Sequence, residues 1–185
     1  MRALIVYESL YGNTHVVANH IADGLRNGYE VTVVPVTEAT IEMVNEADLL
    51  VVGGPTHIHG MSTDSSRKAA ADAAGKPGSG LALEPDSVGP GLRDWLHEIG
   101  DGHGAPAAAF DTRLDGPQIL TGRASLGIAH RLRRHGYRLV LSPESFLVSK
   151  HSALIDGETD RAQEWGTTLA AATDAVSQGP RAGTP

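Results

Sequence analysis

The hexapeptide Ser9-Leu10-Tyr11-Gly12-Asn13-Thr14 constrains the fold of this chain more than any other segment. It follows an apolar run at residues 3–7 and precedes a helical pattern over residues 14–25. A strand that enters a helix through a short loop of small and hydroxyl residues directs its backbone N–H groups and the helix dipole at one place, which favours an anion there. The loop has no lysine, so it is not a nucleoside-triphosphate loop. We interpret it as a cradle for a single phosphate monoester.

A second apolar run, residues 49–52, ends in Gly53-Gly54-Pro55-Thr56. The two loops lie about forty residues apart, each at the carboxyl end of a predicted strand, where open α/β sheets bind ligands. The first loop resembles the Ser/Thr-x-Thr/Tyr-Gly-Asn-Thr phosphate loop of flavodoxins, and the second resembles the Gly-x-Pro-Thr corner of that family. Residues 55–61, Pro-Thr-His-Ile-His-Gly-Met, are also similar to a turn of flavodoxin-like quinone reductases.

This resemblance implies that FMN is the cofactor. By position it implies that the first loop holds the phosphate, that the second wraps the ribityl chain and flavin ring, and that a third loop after the fourth strand contacts the far side of the ring. The cofactor-binding residues expected in these three loops are Ser9, Leu10, Tyr11, Gly12, Asn13 and Thr14; Pro55, Thr56, His57, Ile58, His59 and Gly60; and Phe110, Asp111, Thr112 and Arg113.

The third loop carries an alternative interpretation, because its match is positional and involves no motif. Asp111 is a candidate acceptor for the ring N–H, and Arg113 is a candidate cation near the pyrimidine edge. In the alternative, Phe110 belongs to the core, Asp111 caps a turn and Arg113 is solvated.

His57 and His59 lie two residues apart, which in an extended loop directs their side chains to opposite sides. No third ligand is evident in the sequence, so we predict no metal site. His57 occupies the position of a ring-stacking aromatic in many flavodoxins, and we expect one of the two imidazoles to border the flavin.

The chain alternates predicted strands and helices along its length. Strands are predicted at 2–8, 30–36, 48–54, 105–111 and 137–148, the last interrupted at Pro143, with helices at 13–27, 38–47, 63–74, 121–135 and 157–177. Such alternation requires a parallel sheet covered on both faces. With the first loop after the first strand and the second loop after the third, the resemblance to flavodoxins implies an α/β, flavodoxin-like, doubly wound sheet of five strands in the order 2-1-3-4-5.

Composition limits the domain count, the partners and the compartment. The 185 residues predict a single domain over 1–178 with a flexible tail over 179–185. An excess of 22 acidic over 15 basic residues argues against nucleic acid or an anionic membrane as partner. The chain has no cysteine, no long apolar run and no signal-peptide pattern, so we expect a cytoplasmic protein without disulfides.

Residues 75–100 interrupt the alternation. Residues 75–90 are rich in helix breakers, and a short helix at 91–99 places Leu92, Trp95, Leu96 and Ile99 on one face. Loops of this length are typically functional or disordered. The predicted role is a surface insertion whose helix caps the sheet; the alternative is a lid or a dimer contact near the flavin.

The function expected from these features is FMN-dependent electron transfer with a redox partner protein or a small-molecule acceptor. A histidine in place of a stacking aromatic, together with a cation at Arg113, leans toward two-electron reduction of a small molecule such as a quinone, because a cation favours the anionic reduced ring. The alternative is a binding or regulatory module of the same fold that no longer holds flavin. Oligomeric state is left open, with a dimer as one option.

Overall fold

A largely parallel β-sheet lies at the centre of the molecule, for which a computed structural model describes residues 1–57, 60–87 and 89–177. Its strands are β1 (Arg2–Tyr7), β2 (Glu30–Pro35), β3 (Leu49–His57), β4 (Gly60–Met61), β5 (Pro106–Leu114), β6 (Arg138–Leu139) and β7 (Glu144–Val148). The helices are α1 (Asn13–Leu25), α2 (Ile41–Glu46), α3 (Asp64–Ala74), α4 (Leu92–Glu98), α5 (Gln118–Thr121), α6 (Ala124–Arg134) and α7 (Glu158–Ser177).

The strand order confirms the predicted topology. Neighbouring strands run β2-β1-β3-β5-β6, where β5 is the predicted fourth strand. The predicted fifth strand is divided into β6 and β7, which pair one after the other with β5, on either side of the interruption at Pro143. The chain therefore has the α/β, flavodoxin-like fold, with its switch point between β1 and β3.

Two strands extend beyond their predicted ends. β3 continues to His57 because Thr56 and His57 pair with β4, which folds back antiparallel. β5 continues to Leu114 because β7 pairs with it as far as that residue. The predicted helix at 121–135 corresponds to α6, which begins only at Ala124. The short helix α5 precedes it and ends before Gly122, whose φ is 75°.

Apolar residues cover both faces of the sheet, as the alternation of side chains along a strand requires. On one face, Ile5 and Val51 pack with α1 and α7; on the other, Leu4 and Leu50 pack with α4 and α6. The helices α1 and α7 approach so closely that a Cβ at Gly24 would lie 2.1 Å from the Gln163 carbonyl oxygen.

The insertion packs against the rest of the chain. α4 buries Leu92, Trp95 and Leu96 in the core, and the Trp95 indole donates to the Ala39 carbonyl over 3.2 Å. Nearer the sheet edge, the Glu84 N–H donates to the Leu10 carbonyl over 2.9 Å. The alternative roles of lid and dimer contact stay predictions.

Some predicted features lie outside the described residues, namely Ile58, His59 and the tail at 179–185. Within the part of the chain that is described, no helix is both long and apolar enough to cross a membrane.

Candidate functional site

A cavity of about 450 Å³ opens at the carboxyl ends of β1, β3 and β5. Ten of the sixteen residues expected to bind the cofactor line it: Ser9, Leu10, Tyr11, Asn13, Thr14, Pro55, Thr56, His57, Thr112 and Arg113. The three predicted loops therefore meet at one place. The volume lies in the range of small-molecule and cofactor pockets, about 300–1,000 Å³.

The first loop has the backbone of an anion cradle. Gly12 caps α1 with a φ of 89°, a left-handed conformation that glycine adopts without strain, and its N–H donates to the Ser9 Oγ over 3.1 Å. The first intrahelical bond runs from the Val16 N–H to the Gly12 carbonyl over 3.0 Å. The N–H groups of residues 13–15 precede that bond, so they have no carbonyl partner within the helix, and N–H groups at such a position favour the binding of an anion.

Side chains of the first loop connect it to two distant loops. The hydroxyls of Thr14 and Thr112 form a hydrogen bond of 2.8 Å, with the two residues only 2% and 5% exposed. The Asn13 amide donates to the Ser152 carbonyl over 2.9 Å. These bonds hold the first loop against the end of β5 and against the loop after β7, around the cavity.

The second loop is held by its own hydrogen bonds. The Thr56 Oγ1 accepts from the Ala124 N–H at the start of α6 over 2.9 Å. His57 lines the cavity, and burial lowers its pKa, although the nearby Glu8 carboxylate opposes that shift. The imidazole is thus favoured in its neutral form. Gly60 pairs with His57 across the hairpin and is not among the residues lining the cavity.

Glu8 is a site-supporting residue that the sequence analysis did not single out. It is 4% exposed, and its carboxylate accepts from the Leu92 N–H over 2.8 Å and from the Ser62 hydroxyl. One side chain at the end of β1 therefore joins the start of α4 to the hairpin that carries His57. The signal available in the sequence was an acidic residue directly between the apolar run and the phosphate loop.

The third loop only partly matches its expectation. Thr112 and Arg113 line the cavity, whereas Phe110 is fully buried in the core against Phe146 and Trp165. Asp111 is also fully buried and accepts from the Ser125 N–H at the start of α6 over 2.7 Å; burial raises its pKa. Neither Phe110 nor Asp111 lines the cavity. Phe110 belongs to the core, as the alternative interpretation expected, whereas Asp111 binds the start of α6 and not a turn.

Arg113 is buried, contrary to the solvated alternative. It is 7% exposed, and its Nη1 donates to the carbonyls of Leu114 and Gly116 and to the Thr121 hydroxyl. Its Nε is buried without a hydrogen-bond partner among the described residues. The guanidinium is therefore fixed in place beside the cavity.

Further lining residues come from segments to which the motifs do not extend: Leu114, Leu120, Thr121, Val148, Lys150 and Ser152. Lys150 matters most among them, because the phosphate loop itself has no lysine. Among the described residues that line the cavity, Arg113 and Lys150 are cations and none is Asp or Glu. In a chain with a formal charge of −7, this lining favours an anionic ligand.

The insertion contributes a carboxylate next to the cradle. Glu84 lies 3.3 Å from the His15 Nδ1, and its Oε1 would be 3.2 Å from a Cβ at Gly12. His15 in turn stacks on Tyr7, with ring centroids 4.7 Å apart. The described residues contain no group of three or more His, Cys, Asp or Glu side chains placed to hold a metal ion.

Comparisons with known proteins agree with this geometry. Residues 5–87 match the model of the flavodoxin family, a stretch that contains both motif loops. No curated protein matches the chain.

Solved structures with a similar fold include a flavodoxin from the domain Archaea, 19% identical, with a TM-score of 0.64, over 94% of this chain and 99% of that one. Flavodoxin 1 from Bacillus cereus is 19% identical, with a TM-score of 0.64, and the match covers 92% of this chain and 98% of that one. A flavodoxin, WrbA-like protein from Agrobacterium tumefaciens is 21% identical, with a TM-score of 0.59, and the match covers 94% of this chain and 98% of that one. The resemblance to the flavodoxin family is thereby confirmed, by the family model over residues 5–87 and by the fold over nearly the whole chain.

Proposed function

We propose that this chain binds FMN and transfers electrons through it. One observation carries the proposal: the anion cradle at the N-terminus of α1 opens into a cavity whose described lining residues include cations and no carboxylates. A phosphate monoester attached to a ring system of moderate size matches both parts. The flavodoxin family match over the same loops supports the choice of FMN.

The residues present fit the cofactor. The N–H groups at the start of α1 and the hydroxyls of Ser9 and Thr14 would hold the phosphate, since such donors favour an anion. Pro55, Thr56 and His57 on one side, and the loop after β5 on the other, would border the ring. When bound, the flavin supplies the redox chemistry, while the protein supplies binding, orientation and electrostatics.

Arg113 distinguishes two forms of this function. Its guanidinium is buried at the cavity with the Nε unpartnered, and a fixed cation in a site of low dielectric favours a negative charge nearby. We therefore favour two-electron reduction of a small acceptor such as a quinone over one-electron transfer. Arg113 contributes the charge; it takes no covalent part in the reaction.

Paired titrations with FMN and riboflavin test the proposal. Riboflavin lacks the phosphate, so a cradle that holds the phosphate predicts at least about tenfold weaker binding, or 1.4 kcal/mol. Gly12→Val should weaken FMN binding by a similar factor, because a β-branched residue is strained at a φ of 89°. Asn19→Ala, an exposed change later in the same helix, is the matched control. Equal affinity for the two flavins would refute the cradle, and failure to bind either would favour a module of this fold without flavin.

Reduction of the FMN-loaded protein tests the finer proposal. We expect a single two-electron step in a potentiometric titration, and NAD(P)H-dependent turnover of a small quinone. Arg113→Met should lower the two-electron potential, because it removes the cation that stabilises the reduced anion. Two well-separated one-electron steps would contradict the two-electron form and leave FMN binding unaffected.

A further inference from the structure

Charge is distributed very unevenly along this chain. Residues 116–143 contain five arginines and neither Asp nor Glu, whereas the remaining residues carry ten basic and 22 acidic side chains. An acidic protein with one such positive segment has a local surface whose sign opposes its net charge. Local surfaces of this kind steer association.

These arginines lie on neighbouring elements of the fold. The segment forms α5, α6 and β6, and α4 lies beside α6. We call the resulting surface the basic face; its members are Arg93, Arg131, Arg133, Arg134 and Arg138. In the described part of the chain, none of the five has a carboxylate within ion-pair distance.

The basic face contains like charges held close together. Burial lowers the pKa of Arg131, and the neighbouring guanidiniums of Arg93 and Arg134 lower it further. Uncompensated repulsion of this kind opposes folding and is relieved when a partner supplies negative charge. The arrangement therefore suits a surface that meets an acidic partner.

Hydrogen bonds connect the basic face to the cavity. Arg93 donates to the Met61 carbonyl over 3.0 Å and to the Ser62 carbonyl over 3.3 Å, and the Arg131 Nη1 lies 3.5 Å from the Met61 Sδ. Met61 pairs across the hairpin with Thr56, which lines the cavity. The basic face thus begins one strand away from the proposed flavin site.

We propose that the basic face docks an acidic redox protein, placing it on the hairpin side of the cavity. This inference rests on the proposed function, since electron exchange is what would require a protein beside the flavin. A compact protein with a local acidic surface can reach the arginines while avoiding the acidic remainder of this chain. An extended polyanion such as DNA, or an anionic membrane, would meet that remainder as well and be repelled.

The test measures docking separately from flavin binding. The probes are a plant-type [2Fe–2S] ferredoxin, which is acidic, and cytochrome c, which is basic; binding of each is followed by fluorescence anisotropy at about 20 mM and about 500 mM salt. The variant is Arg133→Glu/Arg134→Glu, two exposed positions in the last turn of α6. The matched control is Arg26→Glu/Lys76→Glu, which makes the same change in net charge at exposed positions elsewhere.

We expect the ferredoxin to bind at low salt and to be released at high salt. Its affinity should fall at least about tenfold in the Arg133/Arg134 variant and less than about twofold in the control. Equal losses in both variants would mean that only net charge matters, and would overturn the proposal. Tighter binding of cytochrome c, or no binding of the ferredoxin, would also overturn it.

Other occupants give distinct results. Arginine-dependent binding of a DNA duplex or of phosphatidylglycerol vesicles, without ferredoxin binding, would overturn the proposal in favour of that polyanion. If the chain self-associates and the Arg133/Arg134 variant abolishes that self-association, the basic face binds a second copy of the chain, and the proposal is overturned as well. FMN titration of the same samples separates the two claims: ferredoxin binding in a chain that binds no flavin would support the docking surface and refute the redox function.

Discussion

The hydrogen bond between the Thr14 and Thr112 hydroxyls offers a quantitative test of how the site is assembled. It joins the phosphate loop to the carboxyl end of β5 through two residues that are 98 positions apart, and both are almost fully buried. Valine has nearly the shape of threonine and lacks the hydroxyl. Thr14→Val and Thr112→Val therefore remove the polar contact while retaining most of the packing.

The expected magnitude follows from burial. Each single variant loses the bond, worth about 1 kcal/mol, and leaves the other hydroxyl buried without its partner, at a cost of about 1–3 kcal/mol. We expect each to lower the free energy of unfolding by about 2 kcal/mol. The double variant removes both polar groups, so it should lose no more stability than either single variant, which corresponds to a coupling of at least about 2 kcal/mol.

Urea unfolding of the flavin-free protein measures this cycle, with Thr168→Val as the control. The Thr168 hydroxyl donates to the Glu164 carbonyl on the exposed side of α7, and its loss should change stability by less than about 0.5 kcal/mol. If the effects of the two single variants simply add in the double variant, with a coupling below about 0.5 kcal/mol, the two hydroxyls do not depend on each other and the prediction is wrong. The same variants separate assembly from binding, because Thr14→Val should weaken FMN more than riboflavin.

Three further predictions concern residues that support the site or the core. Glu8→Ala should lower the free energy of unfolding by about 3 kcal/mol, because it leaves the Leu92 N–H and the Ser62 hydroxyl unsatisfied. Glu8→Gln should lower it less. Equal urea midpoints for the Glu8→Ala variant and the wild type would contradict this prediction. Gly24→Ala should destabilise by about 2 kcal/mol despite the better helix propensity of alanine, since its Cβ would meet the backbone of α7; a raised melting temperature would disprove the close helix contact. Because the pKa of His57 is lowered in the folded protein, this residue binds fewer protons in the folded state than in the unfolded state. Its contribution to stability is complete above about pH 6.5 and is lost as the pH falls from there toward the native pKa. His57→Gln should flatten that part of the stability–pH curve, and an unchanged slope would contradict the lowered pKa.

Local sequence was sufficient to predict the frame of the site. The two motif loops follow strands whose apolar runs are continuous, and each loop carries glycine or proline at its turn. The alternation of strands and helices then predicts a parallel sheet, and loops after the first and third strands fit the flavodoxin-like strand order. These features depend on neighbouring residues and on general rules of parallel sheets, so they were predictable without the structure.

The third loop was harder to predict because its position depends on strand length. The expected strand ended at residue 111, but pairing with β7 extends β5 to Leu114. Phe110 and Asp111 therefore still lie within the covered part of the sheet. Thr112 and Arg113, nearer the carboxyl edge, reach the cavity. A shift of three residues in a strand end is enough to exchange core residues for site residues.

The cations at the cavity have a related origin. The phosphate loop has no lysine, and its affinity for an anion is expected from backbone N–H groups alone. Lys150 reaches the cavity because the segment after β7 lies against Asn13, through a bond between residues 139 positions apart. Arg113 is a cation of the site because loop carbonyls hold its guanidinium inside. A backbone motif can be recognised from adjacent residues, whereas the charge around the ligand depends on which distant loops pack beside it. For this reason the sequence supported phosphate binding more directly than it supported a choice between one- and two-electron chemistry.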